Sequence, residues 1–360
     1  MYVLHQASNV VIKRPTVFIM HSVINMPENF EKGIISMKHI FLLSFLIATF
    51  IGFKGFAFDS INLDDGYKSK PIVKKLQRKK NEVLNLSGIT YVPNLDIYYA
   101  IENAQVKGNS IENEARIFVF SKKLLGNNNE DDFLSDNVIK LEDFSSQSSN
   151  DNPGSQCDFE DIVFIDMVEG LPRFALINET GEIYVGVIDP SRKGNLLSEN
   201  FKKIIFNDGT DLDRKIKNNK GPEGVAFDPH TQTIFVVNEG TGMRVEAFKL
   251  PVLEDLKEIN ISSRVRILDK ITQTLLHQDK DNALPIKDMA GVVFNQKTGR
   301  LLILSDESQV IYDISLKGTL YAVKQLTDEK LHPEGITIDG DESLVVVSEP
   351  NLVLKYKLKN

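Results

Sequence analysis

Tryptophan is missing from this chain of 360 residues, and there is one cysteine, Cys157. A single thiol cannot make an internal disulfide, and nothing around it has metal-type spacing, so it reads as a buried or idle thiol. Four catalytic and nucleotide signatures are also missing: the Gly-x-Ser-x-Gly elbow, the phosphate-binding loop, the dinucleotide fingerprint and His-Glu-x-x-His. Serine-nucleophile catalysis therefore has no motif to start from. Beyond residue 57 there are three histidines, His230, His277 and His332, none spaced for zinc. Long apolar runs are scarce, and the stretch at 40–53 is shorter than the ~20 residues of a spanning helix.

What is present near the start is a leader-like pattern. Met37-Lys38-His39 opens a basic segment, the apolar stretch 40–53 follows, and Gly55-Phe56-Ala57 puts small residues where a signal peptidase cuts. We read 37–57 as a signal peptide and 1–36 as a mis-assigned start or a disordered segment, with Met37 as the expected start. The alternative is an inner-membrane anchor at 40–53. Residues 1–57 carry five basic and two acidic residues, which leaves 37 basic against 48 acidic, a net of −11. An acidic exported chain of this kind, periplasmic or secreted, is poorly suited to nucleic acid or anionic lipid. The partner expected is a small ligand or a protein, the membrane is met only through an uncleaved leader, and the chain reads as a monomer.

The main positive feature is a phrase that returns five times. It reads Leu86-Ser87-Gly88-Ile89, Phe159-Glu160-Asp161-Ile162, Pro222-Glu223-Gly224-Val225, Met289-Ala290-Gly291-Val292 and Pro333-Glu334-Gly335-Ile336. Each copy is followed by an apolar run, a turn, a second apolar run and a second phrase. The second phrases are Ile101-Glu102-Asn103, Asn178-Glu179, Asn238-Glu239, Ser305-Asp306-Glu307 and Ser348-Glu349. Short β-branched runs around Asp, Asn, Gly and Pro turns are hairpins. The second run of each is apolar on both faces, which requires cover on both sides; radially stacked blades supply that cover. The spacing is that of four-stranded blades with insertions. The fold predicted is all-β, a five-bladed β-propeller over 72–360 preceded by a linker at 58–71. The last copy is one strand short, so the N-terminal segment 72–84 is expected to close the ring. The segment 126–156, rich in Asn, Asp and Ser, reads as a mobile loop.

The phrases Lys220-Gly221-Pro222-Glu223-Gly224-Val225-Ala226-Phe227, Leu302-Ile303-Leu304-Ser305-Asp306-Glu307-Ser308 and Val347-Ser348-Glu349-Pro350-Asn351 resemble the SdiA-regulated (YjiK-like) family of exported bacterial proteins. The resemblance runs over roughly 80–356. It implies a five-bladed propeller related to NHL-repeat proteins and a calcium site, and it implies no particular activity. Asn238-Glu239 departs from the Lys-Glu pair expected there.

Antiparallel pairing sets the first phrase of each hairpin beside its second phrase. Glu160 should therefore meet Glu179, Glu223 should meet Glu239, and Glu334 should meet Glu349, all at one channel mouth. Asp306 and Glu102 belong to the same expected set, and Asn178 and Asn238 are candidate neutral ligands. Carboxylates about 5 Å apart repel by roughly 3 kcal/mol at an effective dielectric near 20. No Lys or Arg recurs among them, so a cation is the simplest compensation, and all-oxygen surroundings suit calcium. His332, two residues before Glu334, is a weak candidate for a catalytic base. Two functions follow: a calcium-binding propeller that holds a ligand or partner without turnover, or a metal-dependent hydrolase of the lactonase or phosphoesterase type.

Overall fold

The structure is a computed structural model. It describes residues 66–77, 83–103, 106–107, 110–111, 115–126, 132–142, 144, 158–206, 221–239, 243–251, 258–261, 266–276, 286–326 and 331–359. All of these belong to the unit Phe58–Asn360. The leader and the first part of the expected linker lie outside the described residues.

Each copy of the repeat is one sheet. Blade 1 runs outward through Leu86–Val92, Ile97–Glu102, Ala115–Ser121 and Asn137–Glu142. Blade 2 begins with Phe159–Val168, Leu171–Asn178, Ile183–Val187 and Phe201–Phe206. Blade 3 holds Pro222–Asp228, Thr233–Asn238, Arg244–Lys249 and Arg266–Ile267. Blade 4 holds Gly291–Asn295, Arg300–Ser305, Val310–Ser315 and Leu320–Gln325. Blade 5 holds His332–Ile338, Leu344–Glu349 and Leu352–Tyr356, and takes its fourth strand, Ile72–Gln77, from the N-terminal side. That strand pairs antiparallel with Leu352–Tyr356, Ile72 opposite Lys355, so the ring closes as the missing strand requires.

The double-sided apolar strands explain the stacking. In Leu344–Glu349, Val345 and Val347 face blade 1 in one buried cluster, whereas Leu344 and Val346 face blade 4 in the next. Alternation along a strand sends neighbours to opposite faces. There are five such clusters, one between each pair of adjacent blades. Tyr99 packs on Phe174 across blades 1 and 2 (4.5 Å between ring centres), and Phe235 stacks on Phe294 across blades 3 and 4 (5.7 Å).

At the axis the inner strands nearly touch. A Cβ on Gly88 would lie 2.6 Å from the Cα of Asp161, one on Gly224 2.9 Å from the Cα of Gly291, and one on Gly335 2.7 Å from the Cα of Gly88. One on Gly291 would lie 2.5 Å from the carbonyl oxygen of Glu334. The four recurring glycines are therefore a steric requirement of a narrow five-fold axis.

Two segments differ from the sequence expectation. Within 126–156, Asn137–Glu142 is the fourth strand of blade 1 and Asp132–Leu134 pairs in parallel with Ile72–Gln77. Polar composition hid these strands because outer strands are covered on one face at most. Tyr67, in the segment read as a linker, is buried at 7% exposure and bridges to Leu358.

Candidate functional site

The first ring of the mouth is made by β-bulges. Register skips Ser87 between Leu86 and Gly88, Glu160 between Asp161 and Phe159, Glu223 between Pro222 and Gly224, and Glu334 between Pro333 and Gly335. A bulged residue has no cross-strand partner and its side chain is re-aimed. Here it turns into the channel. In blade 4 the equivalent residue is Ala290, whose N–H donates to the carbonyl of Leu304 (3.0 Å). The first ring is therefore Ser, Glu, Glu, Ala, Glu.

The second ring comes from the end of each second strand: Asn103, Glu179, Glu239 and Asp306, each just past its strand, and Glu349, the last residue of its strand. Both rings, with Asp158 and Asp288, line one cavity of about 200 Å³ that carries nine carboxylates and, among the described residues, no basic side chain. Glu160, Glu179 and Glu223 each place a carboxylate oxygen within 4.8 Å of the other two.

The residue before each second-ring position points the other way. Glu102 is such a residue, and its expected place at the mouth is corrected here. It is fully buried and pairs with Arg116 through Nε (2.5 Å) and Nη2 (2.8 Å). The homologue of Glu179 in blade 1 is Asn103, and one residue of offset decides which of two neighbours faces the channel. Asn178 and Asn238 share the register of Glu102. Asn178 Oδ1 accepts from the Glu182 N–H (2.8 Å), and Asn238 Nδ2 donates to Glu246 (3.5 Å). His332 is exposed, with Nδ1 3.5 Å from Asp306 Oδ2, and it does not line the cavity.

Sequence reasoning missed two acids, Asp158 and Asp288. Each sits two residues before a first-ring position, and that repeated offset was the available signal. Asp288 is braced by the Ser305 hydroxyl and by the N–H groups of Asp306 (3.1 Å) and Glu307 (3.1 Å).

Burial and mutual repulsion act on these groups together. Burial first, then the charges of Glu223, Asp158, Glu179 and Glu334, pushes the Glu160 carboxyl well above the usual range. Glu223 is raised likewise, by burial and then by Glu179, Glu239 and Glu334. Glu334 is raised to about 8 by burial and then Asp306 and Glu349. Glu179 is raised to about 7, chiefly by burial, against the opposing Gly221 N–H donated to it at 3.1 Å. Asp158 rises to about 6 through burial.

Asp161 stands where four blades have glycine. Its carboxylate accepts from the N–H of Ile162 (2.8 Å) and of Val225 in blade 3 (2.8 Å), and from Ile89 in blade 1. It ties three blades together beneath the acidic ring. Changing Asp161→Gly, although it restores the residue of the other repeats, strands three backbone donors. The expected cost is about 3 kcal/mol in a urea unfolding experiment, at roughly 1–3 kcal/mol for each unsatisfied buried group.

The family model described as SdiA-regulated matches residues 158–357. The chain belongs to the SdiA-regulated family. Among solved structures, this SdiA-regulated propeller is similar to a luciferin-regenerating enzyme, with 13% identity, a TM-score of 0.43 and coverage of 81% of this chain and 97% of that one. It is also similar to a gluconolactonase of Xanthomonas campestris, with 13% identity, a TM-score of 0.43 and coverage of 82% and 92%. A chain of a nidogen/laminin complex matches with 12% identity, a TM-score of 0.41 and coverage of 77% and 84%. Among the described residues no helix is long and apolar enough to cross a membrane.

Proposed function

We propose that this protein is an exported calcium-binding propeller whose loaded acidic mouth holds a small ligand or a protein partner without turnover. The reading is carried by two neutral oxygens. Ser87 Oγ, on a residue 3% exposed, and Asn103 Oδ1 are buried and have no hydrogen-bond partner among the described residues. Both line the cavity of the nine carboxylates. A buried acceptor left unpaired beside clustered acids is costly in two ways, and a cation offsets both.

The donor set fits calcium. Glu160, Glu179 and Glu223 would hold it, with Ser87 and Asn103 as neutral oxygens, and calcium takes 6–8 such ligands in flexible geometry. The bound ion supplies positive charge at a mouth that otherwise repels acidic groups, and it gives an anionic or hydroxyl-rich ligand something to bind. The leader-like segment 37–57 supports export.

Calorimetric titration of calcium into chelator-treated protein tests the reading. We expect saturable binding, at least tenfold weaker in Glu223→Gln and measurably weaker in Ser87→Ala, with magnesium weaker than calcium. No heat of binding at any calcium concentration up to 10 mM, or an unchanged affinity in Glu223→Gln, sinks it.

A further inference from the structure

The inner strands run from the acidic mouth to the opposite end of the channel, and their other ends carry a second repeated feature. Three residues after each axial position stand Tyr91, Phe164, Phe227, Phe294 and Ile338. All five line a cavity of about 470 Å³ at that opposite mouth. Each belongs to a different inter-blade cluster, so all five cores present one side chain to the same space. Phe164, Ile338, Val163 and Val293 remain only partly covered there.

This chamber is separate from the acidic one. The two cavities share no lining residue, and between their levels lie the axial glycines, packed against the neighbouring strands, and Asp161. The channel is therefore two back-to-back chambers with opposite chemistry.

The charges of the apolar chamber are already matched. Lys297 pairs with Glu342 (2.7 Å). Asp339 accepts from Lys355 Nζ (2.5 Å) and from the Tyr98 hydroxyl (2.8 Å). No unpaired charge is left among its lining residues to recruit an ion. Ligand pockets of about 300–1,000 Å³ combine apolar walls with a few polar groups, and this cavity, with ring and aliphatic walls and a polar rim at Asn94, Asn295 and Gln296, has that make-up.

We infer that this opposite mouth is a second binding site, for an uncharged, largely apolar small molecule with an aromatic or alicyclic ring. The rings of Phe164, Phe227 and Phe294 supply flat apolar walls for it. The hydroxyl of Thr90, which accepts from the Phe164 N–H (3.0 Å), lies beside those walls and supplies a polar contact. The site stands independently of the calcium reading.

The test uses the uncharged probe N-phenyl-1-naphthylamine with the whole protein, in calcium and in chelator. We expect saturable one-to-one fluorescence enhancement in both. Val163→Trp and Val293→Trp fill the chamber from partly exposed wall positions and should each weaken binding at least tenfold, with thermal midpoints within a few degrees of the parent. Glu223→Gln, in the other chamber, should leave probe affinity unchanged. Because the chain has no tryptophan, Gln296→Trp on the exposed lip gives a single donor whose emission should transfer to bound probe; this variant keeps the test decisive if a wall variant does not fold. Enhancement that fails to saturate, that both folded wall variants leave unchanged, or that gives no transfer from Gln296→Trp overturns the inference. So does enhancement that tracks only the unfolded fraction.

Discussion

Under the calcium proposal, calcium at a hundredfold excess over its dissociation constant is expected to raise the thermal unfolding midpoint by about 5 °C relative to the same protein in chelator. The size follows from linkage. A ligand bound only by the native state at that excess adds about 2.7 kcal/mol. For a domain of this size each kcal/mol moves the midpoint by roughly 2 °C. Relief of repulsion among Glu160, Glu179 and Glu223 is part of that binding energy rather than an addition to it. Differential scanning calorimetry reads the shift directly. Glu160→Gln with Glu223→Gln should abolish it and, by removing buried charge, should raise the midpoint in chelator. Glu102→Gln provides the contrast. Its carboxylate serves Arg116 inside blade 1, so the substitution should lower the midpoints with and without calcium by equal amounts. A calcium shift lost in Glu102→Gln but kept in the double variant would refute the assignment of the mouth.

The second large effect is a reversal of pH dependence. In chelator, Glu334 titrates at about 8, Glu179 at about 7 and Asp158 at about 6, against ordinary values of 4.5, 4.5 and 3.8. Between those limits the native protein binds more protons than the unfolded chain, so stability falls as pH rises. The stabilisation is fully present below the unfolded values, is lost progressively as pH rises from about 4, and is gone above about pH 8. Glu182 and Asp341 have the opposite sign. Side-chain hydrogen bonds from Lys203 and Tyr184 hold the first below the usual range despite its burial, and Lys122 does so for the second. Their contribution is lost as pH falls through the acid range. The metal-free protein should therefore be most stable near pH 5 and weaker at pH 8.5 by on the order of 8 kcal/mol, since one pKa unit corresponds to about 1.4 kcal/mol. With saturating calcium the trend inverts between pH 5 and 8, because protons and the ion compete for the same oxygens. Urea unfolding across pH, with and without calcium, gives both curves. A metal-free curve that rises from pH 5 to 8.5 contradicts the raised acids.

The two chambers respond differently to the same backbone. The inner strand carries a carboxylate or a small residue (Ser87, Ala290) before the axial position and an aromatic or aliphatic residue three places after it. One repeating unit thus builds an acidic cavity and a ring-lined cavity at opposite ends of the same inner strands. Substitutions in the apolar chamber should leave the calcium shift in place, and substitutions at the acidic mouth should leave the apolar chamber in place.

The sequence by itself determined the repeat, the five hairpins and the strand borrowed to close the ring. Doubly apolar runs such as Leu344–Ser348 have no stable environment except between two sheets, and five of them need a ring. It also placed Glu160, Glu223 and Glu334 at equivalent points, because their spacing from the axial residue is constant. Only the tertiary structure decided which neighbour of each pair faces the channel. Glu102 and Asn103 differ by one residue, and strand alternation sends one to Arg116 and the other to the mouth. The bulges that turn the glutamates inward and the Asp161 carboxylate shared by three blades were likewise outside the reach of pattern. They depend on contacts between strands distant in sequence, where the short distance across a crowded axis, not local propensity, selects the arrangement.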